Sequence, residues 1–362
     1  MALKRRRLLL VLPQDANPYQ ELLYGPMRIA HPEEFRTLYW KRRPWVGIPH
    51  FFLFTLWAAA RGSRIAHVHW LAWDVRVNIP FKKRISGASS RGAIWWLKLL
   101  HFRIVWTVHN VLPHEQQTGD DLAVARLLGS SAKSVIVHSD ETLASLSTLG
   151  IRRQSAIVIP QGSYVGLYGS PPSLRDARQR LNLPESGRIL LYFGHIRSYK
   201  GIPQLLAAWQ KSTPNSTLMI VGSSSDDELT TRITHAAISD PTIEARIQFI
   251  PDSEVATYFG AADAVCLPFQ RITTSSSALL ALSFGKPLIA PRIGALKDLP
   301  LDTGFLYGDD TDRTLPGALQ LFFDASDEEL WTRGANGLAY AKSLSWAGIA
   351  ERTYDLYSNI LA

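Results

Sequence analysis

Short apolar runs rich in Val, Ile and Leu recur along this chain, each followed by a polar loop and then an amphipathic stretch of helical period. In the first half the runs fall at 8–12, 65–69, 104–108, 134–137 and 156–159. In the second half they fall at 188–193, 217–221, 246–250, 264–268 and 287–290. Continuous apolar runs, rather than alternating ones, predict strands buried on both faces, as in parallel sheets. Two such series predict two doubly wound α/β domains. The Gly- and Pro-bearing stretch 162–187 suits a linker with a short helix at 173–181. The expected domains are therefore 1–165, 166–345 and a final amphipathic helix, 346–362, returning to the first domain.

In open α/β sheets, ligands bind beyond the carboxyl ends of the strands. The loops at those ends are chemically dense in both halves. The first half presents NPY (17–19), HVHW (67–70), TVHNVLPHE (107–115), HSD (138–140) and PQG (160–162). The second presents GHIRSYKG (194–201), GSSSDD (222–227), IPDSE (250–254) and PFQRITTSSS (268–277). Two polar edges facing each other would line a cleft.

GHIRSYKG places a glycine at a strand end, then Arg197 and Lys200, then Gly201 before a helix. An arginine fork and a lysine point charge beside a helix start suit a diphosphate. In the second loop, five hydroxyl residues, Thr273–Ser277, precede an apolar helix. One residue suffices for a cap, and amides with hydroxyls at a helix N-terminus make an anion site. A nucleotide-diphosphate sugar held without a metal fits both loops. The only Asp-x-Asp, at Asp310 and Asp312, reads as a turn. His67 and His69 lack a third ligand at zinc spacing. On the other side, His109 and Glu115 can each take a proton from an acceptor hydroxyl, and the residues leave that choice open.

Composition and charge narrow the partners. The chain has 362 residues with 46% apolar and 19% charged positions, so it is a globular protein of about two domains. A single cysteine, Cys266, excludes a disulfide framework and a multi-cysteine metal centre, and predicts a reducing compartment. The formal charge of +8 is uneven: residues 1–110 carry 18 Lys/Arg against 5 Asp/Glu, and the remainder carries 21 against 26. The basic part is studded with Trp40, Trp45, Trp57, Trp95, Trp96 and Trp106. Cations with interfacial aromatics predict a protein lying on an anionic membrane. No nucleic-acid motif accompanies the charge. The apolar segment 46–60 is too short to span a bilayer, and MALKRRRLLLVLP reads as a basic lead-in to the first strand rather than a signal peptide.

NPY, HVHW with TVHNVLPHE, YFGHIRSYKG and LPFQRITTSSSALLALSFGKPLIAP together resemble the two-domain GT-B glycosyltransferases, above all the inverting β-mannosyltransferases of xanthan-type exopolysaccharide assembly. The resemblance implies transfer of mannose from GDP-mannose to an oligosaccharide on a polyprenyl diphosphate, by a protein peripheral to the inner face of the cell membrane. Gly194, Arg197, Lys200, Ile250, Thr274, Ser275 and Ser276 are expected on the donor side. Asn17, Tyr19, His69 and Asn110 are expected on the acceptor side, with Glu115 or His109 as base. Retaining relatives carry two glutamates in the donor loop and its helix, where this chain has Ile272 and Leu280; that departure implies inversion. The alternatives left open are a retaining transferase using a UDP-sugar and a non-catalytic membrane scaffold.

Overall fold

A computed structural model of the protein describes residues 7–14, 17–41, 47–70, 80–110, 121–151, 155–209, 215–308 and 313–362. The chain forms two compact units, residues 1–162 with 346–362, and residues 163–345.

The N-terminal unit contains strands β1 (Arg7–Gln14), β2 (Phe35–Lys41), β3 (Ile65–Val68), β4 (Arg103–Thr107), β5 (Ala132–Val137) and β6 (Ala156–Val158). They form one parallel sheet in the order β2-β1-β3-β4-β5-β6. Helices α1 (Tyr19–Ala30), α2 (Gly47–Ala60), α3 (Pro80–Leu99), α4 (Asp121–Ser131) and α5 (Asp140–Ser145) connect the strands. Both faces of the sheet are covered. On β1, Leu10 and Leu12 enter one apolar cluster, while Leu9 and Val11 enter another. This is why the strand reads as a continuous apolar run.

The C-terminal unit repeats the plan. Its strands are β7 (Arg188–Phe193), β8 (Ser216–Val221), β9 (Ile243–Arg246), β10 (Ala264–Cys266), β11 (Leu288–Pro291) and β12 (Gly304–Tyr307). They pair in parallel in the order β12-β11-β10-β7-β8-β9. The helices are α6 (Leu174–Arg180), α7 (Ile202–Trp209), α8 (Asp227–Ser239), α9 (Asp252–Ala261), α10 (Ser276–Ser283), α11 (Leu315–Asp324) and α12 (Asp327–Ser343). Along β7, Ile189 and Leu191 pack to one side, and Leu190 and Tyr192 to the other.

Three strands depart from the sequence pattern. β2 and β12 have no counterpart in it, and β9 lies at 243–246 rather than 246–250. All three are edge strands. β2 mixes Arg36 and Lys41 with Phe35 and Trp40, because its outer flank is not covered by another strand. The apolar pair after β9 splits instead: Ile250 turns into the core, and Phe249 points outward, 74% exposed.

The chain finishes in α13 (Trp346–Leu361), which belongs to the N-terminal unit and packs on α1. His31 stacks on Tyr354 at 3.6 Å between ring centres, and the Tyr354 hydroxyl donates to Glu34 at 2.7 Å. Among the described residues, no helix is long and apolar enough to cross a membrane.

Candidate active site

Each sheet reverses its winding direction at one point, and both sets of candidate residues gather there. In the C-terminal sheet the reversal lies between β7 and β10. The loop after β7 opens at Gly194, with φ of 134°. A Cβ on Gly194 would meet Ser277 Oγ at 3.1 Å and Lys200 Nζ at 3.7 Å, so both polar tips converge on that backbone. The loop closes at Gly201, φ 75°, where a Cβ would sit 1.8 Å from the Pro268 carbonyl oxygen. Only glycine permits that approach between the loops after β7 and β10. The Gln270 amide then donates to the Tyr199 carbonyl at 3.0 Å, tying the two loops together.

Lys200 is the decisive group. Its ammonium lies 5.7 Å from the centre of the Phe269 ring. Burial, and then the Arg197 guanidinium, lower its pKa to about 8. No carboxylate among the described residues pairs with it. A half-buried cation held next to another cation is costly unless an anion joins them. Arg197 is braced by a 2.6 Å hydrogen bond from Nη1 to Ser225 Oγ, and His195 Nδ1 by the Ser223 carbonyl at 3.1 Å. Ser275 caps α10, its Oγ accepting from the Ala278 amide at 3.1 Å. Ser276 is exposed at the first turn, and Thr274 is half-buried before it. Ile250 lies below this edge in the apolar core, 7% exposed. Ile272 and Leu280 pack against the same core.

In the N-terminal sheet the reversal lies between β1 and β3. The carboxyl edge here is a layer of imidazoles and phenols. Asn17 is exposed, and its Oδ1 accepts from the Tyr19 amide at 2.9 Å, starting α1. Tyr19 is buried, with its ring 4.7 Å from His109, 5.6 Å from His69 and 5.1 Å from Trp346. His69 Nδ1 is 3.2 Å from His109 Nε2, and its Nε2 is 2.8 Å from the Tyr24 hydroxyl. That hydroxyl is 2.7 Å from His67 Nδ1, which Tyr357 also approaches at 2.5 Å. His67 Nε2 reaches Thr107 Oγ1 at 2.7 Å. Trp70 stacks on His109 at 5.0 Å. Asn110 is half-buried beside His109 on the same loop, while Glu115, Asp310 and Asp312 lie outside the described residues.

The histidines of this layer are held neutral. Burial lowers His67 to about 3 and His138 to about 4. Burial, and then neighbouring imidazoles, keeps His69 and His109 well below the ordinary range. At neutral pH this edge therefore offers lone pairs and N–H groups, not charge. Among the described residues, no group of three or more His, Cys, Asp or Glu side chains is arranged to hold a metal ion.

The structure brings Tyr19, His69 and His109 together in one edge and Gly194, Arg197, Lys200 and the start of α10 in another. Sequence reasoning missed Tyr24, Tyr357 and Ser277, and passed over His138 although it lies in one of the loops singled out. Ser277 was within reach of the hydroxyl run. Tyr24 and Tyr357 sit inside amphipathic helices, where a tyrosine looks like any apolar core residue.

Residues 174–324 match the family described as Glycosyl transferases group 1. Across nearly its whole length the chain superposes on sucrose-phosphate synthase from Thermosynechococcus elongatus, with a TM-score of 0.78, 20% identity and 99% coverage of each chain. It also superposes on Anabaena HepE in complex with UDP-glucose, with a TM-score of 0.74, 16% identity, and coverage of 98% of this chain and 99% of that one. The chain is a glycosyltransferase of the GT-B fold, carrying a glycosyl transferases group 1 domain. Its relatives include the GDP-mannose:glycolipid 4-beta-D-mannosyltransferase of Xanthomonas campestris pv. campestris, 27% identical over 256 residues and 69% of each chain. A D-inositol 3-phosphate glycosyltransferase of Corynebacterium glutamicum (strain R) is 28% identical over 218 residues, 57% of this chain and 52% of that one. A nucleotide-sugar donor follows from the family.

Proposed function

We propose that this chain transfers mannose from GDP-mannose, with inversion, to an oligosaccharide on a polyprenyl diphosphate during exopolysaccharide assembly. The observation that carries the donor half is the half-buried Lys200 ammonium beside the Arg197 guanidinium, with no carboxylate among the described residues against it. The choice of mannose is supported by the Xanthomonas relative, whose match extends over 69% of both chains.

In this reading the diphosphate lies against Arg197, Lys200 and the first turn of α10. Those groups take up the charge that develops on the leaving nucleoside diphosphate, in the role a metal ion would otherwise fill. The acceptor oxygen attacks the anomeric carbon from the face opposite the diphosphate. A new C–O bond forms as the bond to the diphosphate breaks, and the acceptor proton passes to a base of the N-terminal unit. His109 is the base among the described residues. Its imidazole is neutral, and its Nε2 side is anchored by His69. Ile272 and Leu280 bring no carboxylate to the donor loop, which supports direct inversion over retention.

Helices α2 and α3 support a membrane-bound acceptor. Leu53, Leu56 and Trp57 form an exposed apolar stripe on α2; Trp95 and Leu99 do the same on α3. The two helices are locked together by the Phe52–Trp96 ring contact and by Trp96 Nε1 donating to Thr55 Oγ1 at 2.9 Å. Arg61 lies over the Trp57 ring at 4.7 Å, and Lys98 over Trp95 at 4.5 Å. An aromatic with a cation above it suits the headgroup layer of an anionic leaflet, and this supports binding at the cytoplasmic face of the cell membrane.

Thermal shift against GDP-mannose, UDP-glucose, UDP-galactose and the free diphosphates tests the donor. A ligand at 100 times its dissociation constant stabilises by about 2.7 kcal/mol. The expected result is preference for GDP-mannose, followed by transfer to a polyprenyl-diphosphate-linked oligosaccharide. Preference for a UDP-sugar would replace mannose. No shift with any nucleotide, and no transfer, would overturn the donor site itself.

A further inference from the structure

His138 follows β5 at the same carboxyl edge as Tyr19, His69 and His109. Its proton position, unlike those of its neighbours, is decided by geometry. Nδ1 is 2.8 Å from the Ile159 carbonyl oxygen, and a carbonyl can only accept. The hydrogen of the neutral ring is therefore on Nδ1, and Nε2 carries a bare lone pair. Nε2 is fully buried and has no hydrogen-bond partner among the described residues; the residue as a whole is 6% exposed. An acceptor left in that state costs about 1–3 kcal/mol, so it calls for a donor group.

The surroundings select the chemistry of that donor. The rings flanking His138 are His109 at 5.5 Å and Tyr19 at 5.7 Å, with Trp70 stacked on the far side of the cluster against His109. This is an uncharged, aromatic wall with one bare acceptor. Inorganic phosphate and diphosphate are anions, and among the described residues no cation acts on His138 or His109 to hold them here. A sugar presents C–H faces to aromatic rings and O–H groups to a lone pair. Burial keeps His138 neutral down to about pH 4, so the lone pair persists under ordinary conditions.

We propose that Nε2 of His138 accepts a hydroxyl hydrogen of a carbohydrate bound at the carboxyl edge of the N-terminal sheet, making His138 a specificity-determining residue of the acceptor side. The inference rests on the reading of this unit as the acceptor unit. It requires the Tyr19 ring, at the first turn of α1, to turn aside as the sugar enters.

The full chain, labelled with 15N-histidine, is titrated with octyl β-D-glucoside and octyl β-D-mannoside below their micellar concentrations, and separately with inorganic phosphate. The His138→Gln spectrum assigns the resonance. The glycosides are expected to move Nε2 of His138 away from the bare-nitrogen position, and phosphate is expected to leave it in place. Glycoside binding that moves other histidines but not His138 overturns the inference alone. If neither glycoside moves any histidine, carbohydrate does not reach this edge, and the acceptor reading falls with the inference. In transfer assays, His138→Phe is expected to raise the acceptor KM about tenfold with the donor KM unchanged, and His138→Gln, which keeps an acceptor atom, to recover part of that loss. An unchanged acceptor KM in His138→Phe, with wild-type transfer intact, also overturns the inference.

Discussion

The two carboxyl edges of this protein occupy equivalent places in equivalent sheets, yet they are built from opposite chemistry. The N-terminal edge is a closed lattice of imidazoles and phenols in which Tyr24 joins His67 to His69 and His69 joins His109. Burial has stripped it of charge. The C-terminal edge has kept its charge under burial: Lys200 and Arg197 stand together before the hydroxyl-rich start of α10. In the reading proposed above, one edge receives hydroxyl groups and the other phosphate oxygens. Transfer of a sugar from a nucleotide to a hydroxyl needs both kinds of surface, and in that reading one fold supplies them by changing the strand ends, the loops beyond them and the flanking helices.

The largest test of this contrast is acid. His67, His69 and His138 are neutral when folded and take up protons near pH 6.5 when unfolded. Below that value the unfolded chain binds more protons, so stability falls as pH falls toward about 4. Each imidazole contributes a slope of about 1.4 kcal/mol per pH unit at the limit. Hydrogen exchange between pH 6.5 and 4.5 is expected to loosen peptides of β3, β4 and β5 before those of β7 and β10. Loss of protection at equal rates in both units would erase the distinction.

Next in size is removal of the cations. Arg197→Ala with Lys200→Ala is expected to lower kcat/KM by about 10²–10³, the scale of losing preorganised charge at a leaving group. Acceptor binding, measured separately, should not change. A smaller effect separates Lys200 from Arg197. With a pKa of about 8 in the free protein, Lys200 loses its charge above that pH. Donor affinity is therefore expected to weaken up to tenfold per pH unit on the alkaline side, and Lys200→Arg to flatten the profile. A flat profile in the unaltered protein would remove Lys200 from the donor contacts. The smallest effect concerns neither edge. Trp57→Ser with Trp95→Ser is expected to reduce binding to anionic vesicles several-fold while transfer to a short soluble acceptor persists. Vesicle binding that survives the double change would move the membrane contact elsewhere.

Legibility from sequence followed burial. The central strands were plain because both of their faces are covered, so their residues are apolar without interruption. The edge strands β2 and β9 were not, because one flank faces away from the sheet and mixes charge into the pattern; the edge strand β12 was not either, because it is only four residues long and opens on Gly304. The donor-side loop was legible for a different reason: Gly194, Arg197, Lys200 and Gly201 are close in sequence and all belong to one turn. The imidazole layer is assembled from five separate strand ends and helices. Its partner Tyr357 is 290 residues from His67, and no local spacing encodes such a contact.

That contact has a consequence for biosynthesis. The C-terminal unit is an unbroken insertion within the N-terminal one, whose helix α13 follows it in the chain. A nascent chain emerging from the ribosome would complete residues 163–345 while the N-terminal unit still lacked α13. Until Trp346 closes over Gly162 and Tyr357 reaches His67, the imidazole edge is unfinished. The order of synthesis thus leaves this imidazole edge to be finished after the inserted unit.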